Sequence, residues 1–414
     1  MKRTFLFALL MSAASVSYSQ VINGTWKGLL TAANQKLEIV FHFQHEEGGK
    51  QSCKMDVPAQ SAVGIPVNLQ ILTEDSVSLS VAAINMTYNG KLIDGAIKGK
   101  FNQFGMSFPL ELRPGDVNMP NRPQEPTVTY IYGTEEVTFS NVNANTKLSG
   151  TLTYPVGYNP NKKVPVVIMV TGSGSQNRDE EVFGHKPFLV IADYLAKCGI
   201  ASLRYDDRGT GKSVGGDVTS ATSEDFAEDA DCGLQWLRKS GKFGKIGVLG
   251  HSEGGMIAFM LAADKKPDFI VSMAGPGIKG DTLLAEQQNA LLKLKGIPAN
   301  VSVNTIRKEM SVQPKKPWLE FFMDYNPEND LKKITIPVMA INGSNDAQVI
   351  SESNLGNIRR LLNNKNPKNL IKEYPGLNHL FQHCKPETAV DYYNIEETCS
   401  EEVLKDIANW INNL

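Results

Sequence analysis

The chain is short of nearly everything that would mark a metalloprotein, a nucleic-acid binder or an integral membrane protein. Its five cysteines, Cys53, Cys198, Cys232, Cys384 and Cys399, fall into no metal-ligand spacing, and five is an odd number. No H-E-x-x-H and no Cys/His cluster is present, so no catalytic metal is implied. Charge is nearly balanced, 42 Lys and Arg against 44 Asp and Glu, which gives no polyanion-binding surface and argues against a nucleic-acid partner. Beyond the first twenty residues no apolar run is long enough to cross a bilayer. A glycine-rich stretch, Gly172-Ser173-Gly174, follows an apolar run. It lacks a following G-K-[ST] and the G-x-G-x-x-G spacing, so it is not a nucleotide cradle. No cofactor is expected.

What is present begins with a leader pattern. Lys2 and Arg3 precede an apolar stretch from Thr4 to Val16, and Ser17-Tyr18-Ser19 offers small residues at the two positions a signal peptidase reads. Residues 1–19 are expected to be removed and the mature protein exported and soluble. Cys384 and Cys399, close in sequence, are the pair expected if any disulfide forms. The length, 414 residues, is that of two domains.

Residues 20–113 read as an all-β domain. Leu37 to Phe43, Val67 to Ile71 and Ser76 to Val81 alternate apolar and polar residues at period two, with Gly48-Gly49, Asn89-Gly90 and Asp94-Gly95 as turns. A small sandwich or barrel follows, with Trp26, Phe41 and Phe43 in its core rather than lining a glycan groove. The four prolines of 114–126 mark a linker. Residues 127–414 then form a second domain. Val128 to Tyr132 and Leu148 to Tyr154 are expected to pair as strands at its entrance. From Val164 strands and helices alternate, which implies a mostly parallel sheet covered on both faces. Residues 275–333 interrupt the alternation as a helical insertion, expected to cap the carboxyl ends of the strands.

The chemistry centres on Ile246 to Met256, IGVLGHSEGGM. A four-residue apolar strand runs into G-x-S-x-G and then a helix, the setting in which a serine stands on a strained elbow as a nucleophile. Ser252 needs a base, and the base an orienting acid. Asp346 follows the strand Val338 to Ile341, and His379 follows Ile371 to Tyr374, in the chain order serine, acid, histidine. Asp324 and Asp330 are weaker acids because no strand precedes them, and His383 lies farther than His379 from its strand end. His251 is expected to be structural, and His185 at most to contact substrate. The oxyanion donors are expected at the N–H of Glu253 and of Ser173, with Gly174 as alternative. Asp206 and Arg208 are expected to pair with each other in support of the site. The run Asn177 to Glu181 is expected either to support it likewise or to line its entrance.

Five segments in order, GSGSQNRDE (172–180), RYDDRGTGKS (204–213), GHSEGG (250–255), NGSNDAQV (342–349) and GLNHLFQ (376–382), resemble the motif set of bacterial α/β-hydrolase carboxylesterases of the EstD type, related to serine aminopeptidase-like hydrolases. The resemblance covers about Val164 to Leu414. It implies an α/β-hydrolase fold after a small all-β domain, and the triad roles for Ser252, Asp346 and His379. Serine stands at 175 and asparagine at 177 where the family pattern often has proline and aspartate. The expected activity is hydrolysis of a small-molecule carboxylic ester with a small or short acyl group, an acylated glycan being one such substrate. A serine peptidase or amidase with the same triad is the first alternative. The second is an envelope glycan-binding protein whose hydrolase domain is secondary.

Overall fold

The computed structural model describes residues 22–32, 35–45, 50–60, 62–115, 120–127, 129–298, 300–312, 314–362 and 364–414. The leader 1–19, the Gly48-Gly49 turn and Val128 lie outside them. The chain divides into two compact units, 1–119 and 120–414.

In the first unit nine strands follow one another: β1 (Gly24–Ala32), β2 (Gln35–His45), β3 (Gln51–Val57), β4 (Ala62–Pro66), β5 (Asn68–Leu72), β6 (Ser76–Val81), β7 (Met86–Ile93), β8 (Ala96–Gln103) and β9 (Met106–Pro114). Their order is β4-β3-β2-β1-β9-β8-β7-β6-β5. The two outermost strands, β4 and β5, are separated in the chain by Val67 alone, whose N–H donates to the Cys53 carbonyl. The two ends of the sheet order are therefore neighbours in the chain, and the sheet curls to bring them there. One side chain in two points inward. Trp26, Phe41, Phe43, Met55, Tyr88 and Leu112 fill the interior, and Trp26, Phe41 and Phe43 are core, not groove. The buried Tyr88 hydroxyl donates to the carbonyls of Ile97 or Leu110, both 3.1 Å away.

The second unit is built on one mixed sheet. Its strands are β10 (Thr134–Asn141), β11 (Thr146–Thr153), β12 (Val166–Val170), β13 (Ala201–Tyr205), the two-residue β14 (Val214–Gly215), β15 (Ile246–His251), β16 (Phe269–Met273), β17 (Val338–Gly343) and β18 (Leu370–Tyr374). The order is β10-β11-β13-β12-β15-β16-β17-β18, with β14 beside β11. From β13 to β18 every neighbouring pair is parallel. Alternation within the strands supplies both faces. Val166, Ile168 and Val170, with Val248 and Ala340, face helices α2 (Ser223–Ser240), α3 (Glu253–Ala263) and α8 (Ser351–Leu362). Val167 and Met169, with Leu249, Val271 and Ile341, face α1 (Pro187–Lys197) and α9 (Glu401–Asn412). Strands sandwiched this way must be apolar on both sides, which is why they read as continuous hydrophobic runs.

Two expectations about the entrance to this unit are corrected. Of the run expected over 128–132, the described residues 129–132 are not a strand, and β11 pairs instead with β10 on one side and β13 on the other. With both edges of β11 taken, Tyr130 and Tyr132 stack on each other at 5.0 Å, and the Tyr132 hydroxyl donates to Asp193 on α1. The second half of the expected linker is tied down within the second unit. Arg122 donates to the carbonyls of Gly184, Tyr393 and Ile395, and Gln124 bonds the backbone of Thr398 and Cys399. Cys384 and Cys399 are free thiols, as are the other three cysteines, so the expected disulfide is absent. Among the described residues no helix is long and apolar enough to cross a membrane.

Candidate active site

The elbow forms because β15 must become α3 without a loop. Ser252, between them, takes φ 54° and ψ −119°. A positive φ is costly for a serine, and here it swings the side chain off the carboxyl edge of the sheet. The Ser252 N–H donates to Met273 on the next strand at 2.8 Å, and its carbonyl accepts from Gly255 and Met256. The flanking glycines are required by contact. A Cβ on Gly250 would stand 2.0 Å from the Gly254 carbonyl oxygen, and one on Gly254 would stand 2.0 Å from that of Val170.

Asp346 and His379 arrive from the ends of β17 and β18. Asp346 lies just past β17 and is buried. Its Oδ1 accepts from the N–H groups of Gln348 and Val349 at 2.7 and 2.9 Å, which fixes the carboxylate. Its Oδ2 lies 2.7 Å from His379 Nδ1. That bond commits Nδ1 as donor and leaves Nε2 as the basic nitrogen. Asn378 fastens the turn that carries His379, its Oδ1 accepting from the N–H groups of Leu380 and Gln382.

The loop after β12 lies directly on the serine: a Cβ on Gly172 would be 3.3 Å from Ser252 Cβ. Two carboxyl groups pin it. Glu180 Oε1 accepts from the Gly172 N–H at 2.8 Å. Asp207 Oδ2 accepts from Thr171 Oγ1 at 2.7 Å and from the Gln176 N–H at 2.9 Å. Between these fixed points, the N–H groups of Ser173 and Gly174 make no hydrogen bond among the described residues, and neither does the Glu253 N–H at the start of α3. Burial pushes the Asp207 carboxyl up to about 7, against the pull of Gln176 and Thr171, with Asp229 and Glu253 adding repulsion.

The insertion contributes α4 (Gly280–Leu294), α5 (Val303–Ser311), α6 (Pro317–Asp324) and α7 (Glu328–Leu331). It reaches the elbow through Trp318, whose Nε1 donates to Glu253 Oε1 at 2.8 Å; Ser223 Oγ donates to the same oxygen at 2.6 Å. Burial raises the Glu253 carboxyl pKa, and Ser223, Trp318 and Ser173 oppose the rise. Met256 of α3 and Val349 beside Asp346 pack with Leu283 and Phe322 of the insertion.

The alternatives are engaged elsewhere. His383 is exposed and pairs with Glu397, Asp324 pairs with Arg307, and Asp330 accepts from the Tyr325 hydroxyl. His185 is fully buried against Thr398 and the Tyr392 carbonyl. Burial first, and Arg122 nearby, push its pKa down to about 4. Asp206 and Arg208 do not hold each other. Asp206 binds Arg178, while Arg208 reaches Asp229 and Asp225 on α2. In the run Asn177 to Glu181, Arg178 and Asp179 act as support, Asp179 pairing with Arg204. Glu180 supports the Gly172 loop, as one reading of the run Asn177 to Glu181 expected, whereas no role was assigned to Asp207 or Trp318 from the sequence. Their partners lie many residues away, and no spacing announces them.

Residues 186–317 match the family model described as serine aminopeptidase, S33. Esterase EstD of Thermotoga maritima is 30% identical over 276 residues, 64% of this chain and 65% of that protein, so the chain spans just under two thirds of that relative. Among solved structures, the Pyrococcus furiosus esterase Pf2001 is similar over 72% of this chain and 99% of its own, at 20% identity and a TM-score of 0.48. The α/β-hydrolase GrgF of Penicillium is similar over 68% and 98%, at 18% identity and a TM-score of 0.48. The parallel sheet carries a serine elbow after β15, with Asp346 after β17 and His379 after β18, and over 276 residues the chain is similar in sequence to Esterase EstD.

Proposed function

We propose that the protein is an exported serine hydrolase that cleaves carboxylic esters carrying small or short acyl groups. The observation that carries the reading is the 2.7 Å bond between His379 Nδ1 and Asp346 Oδ2, made by residues 33 apart on loops beside the Ser252 elbow. Ser252 Oγ attacks the ester carbonyl while His379 Nε2 takes its proton, and Asp346 stabilises the imidazolium. The carbonyl oxygen becomes an oxyanion held by the N–H of Glu253 and of Ser173, with Gly174 as the alternative donor; both loop donors stand unclaimed between the pinned residues. His379 then protonates the leaving alcohol. Water, deprotonated by His379, hydrolyses the acyl-enzyme. Every step uses protein groups alone. The Thermotoga maritima relative is named an esterase, which supports the ester bond as target. Export rests on the leader pattern of residues 1–19. The insertion 275–333, touching Glu253 through Trp318, is proposed as the cap that shapes the acyl pocket.

The family model's description favours a second reading, a peptidase acting on aminoacyl amides with the same triad. Assay of short-chain p-nitrophenyl esters beside aminoacyl anilides, on the wild type and Ser252→Ala, separates the two. The expected result is a kcat/KM higher for the ester, and a loss of at least about 10³-fold in the variant. A preference for the anilide would select the peptidase. Wild-type turnover in Ser252→Ala would remove the triad itself.

A further inference from the structure

Beneath the elbow two buried side chains meet that the proposed reaction does not use. His251 is the last residue of β15, immediately before Ser252. Glu180 comes from the loop after β12, 71 residues earlier. Glu180 Oε1 lies 2.9 Å from His251 Nδ1 and also accepts the Gly172 N–H at 2.8 Å. His251 Nε2 lies 2.9 Å from the backbone carbonyl oxygen of His379. A carbonyl oxygen only accepts, so Nε2 carries a hydrogen. The pair is enclosed by Phe188, Ile191, Met273 and Phe381. Burial alone would lower the pKa of His251, but the Glu180 carboxylate outweighs it and the net shift is upward, with Asp346 adding to the rise.

We propose that Glu180 and His251 are a positioning couple: one charged hydrogen-bond chain that locks the Gly172 loop, the residue before the nucleophile and the backbone of His379 to one another. The inference rests on the triad reading above. Each link has a geometric task. Holding the Gly172 N–H orients the following peptides, whose N–H groups are the proposed oxyanion donors. Holding the His379 carbonyl fixes the base from its backbone, while Asp346 fixes it from its ring. The two imidazoles lie with centroids 4.8 Å apart, so a shift of His251 is passed on to His379.

The couple is poorly explained as a device for stability. Glu180 sits at φ 52°, a costly conformation for a side chain of its size. Its Oε2 is buried with no hydrogen-bond partner among the described residues. Buried ion pairs are often replaceable by apolar groups without loss of stability. A strained, half-satisfied carboxylate is what placement of a site retains and packing alone would discard.

The test compares wild type, Glu180→Gln, His251→Gln and the double variant on a short-chain p-nitrophenyl ester, with Ser252→Ala alongside. A positioning role predicts that kcat falls about 10- to 100-fold in each single variant while KM stays within about threefold, since misplacement by about an ångström costs that much. The double variant should lose no more than the worse single one, because both break the same chain. Glu180→Asp, which keeps the charge, should recover part of kcat. Wild-type kcat in a folded Glu180→Gln protein, or independent losses that multiply in the double variant, would overturn the proposal. A measurement on the wild type needs no variant to fold. With ring-15N histidine at pH 7, His251 should show both nitrogens protonated, identified by coupling across its hydrogen bond to the His379 carbonyl carbon. A single-tautomer neutral ring there would overturn the couple. Activity retained in Ser252→Ala would instead strike the triad reading, so the two failures are distinct.

Discussion

Asp207 is the side chain through which pH should act most directly on the loop beside Ser252. Its folded pKa of about 7 lies above the ordinary 3.8, so the folded protein holds this proton more tightly than the unfolded chain does. The stability linked to it is fully present below the unfolded pKa and is lost as pH rises through 7. Asp207→Asn keeps an oxygen to accept from Thr171 and Gln176 but cannot ionise. The stability of the variant relative to wild type should therefore climb between pH 4 and pH 8, by up to about 4 kcal/mol. Thermal unfolding across that range checks the sign, and a flat difference would mean that Asp207 ionises normally. The same residue explains a limit of sequence reading. Asp206, Asp207 and Arg208 are adjacent letters, yet they serve Arg178, Thr171 with Gln176, and Asp229 with Asp225 respectively. Adjacent charges do not choose each other when the fold offers each a better-placed partner.

At the scale of the element, the elbow is the most constrained piece of the chain. Its glycines are held by backbone contacts that no rotamer change can relieve. Gly254→Ala should therefore cost more than about 3 kcal/mol or prevent folding, beyond the usual range for overpacking. Gly356 provides the control. It lies within α8, is exposed, and a Cβ there meets nothing within 4 Å. Gly356→Ala should stabilise by about 0.5–1 kcal/mol. Urea unfolding of both variants tests the contrast, and an equal effect at the two positions would refute it. The elbow was legible because strand, turn and helix are consecutive in sequence. Residues 129–132 form no strand, which alternation alone cannot reveal, because both edges of β11 are occupied by β10 and β13.

At the scale of the molecule, the apolar cores belong to separate units: one lies inside the curled β1–β9 sheet, and one on each face of the parallel sheet. Two units whose cores share no residue should melt as two transitions in scanning calorimetry. A single transition with equal calorimetric and van 't Hoff enthalpies would show one cooperative body instead. The sequence by itself determined what depends on near neighbours: strand and helix periods, the serine elbow, and an acid and a histidine placed after later strands in the right order. These are local because backbone geometry sets the spacing of side chains along each element. Tertiary structure alone decided which distant groups share a hydrogen bond. It left Cys384 and Cys399 as free thiols. It also brought Glu180, His251 and the His379 carbonyl into one buried chain. A buried polar group must find a partner wherever the fold provides one, and that partner's position in the sequence carries no local signature.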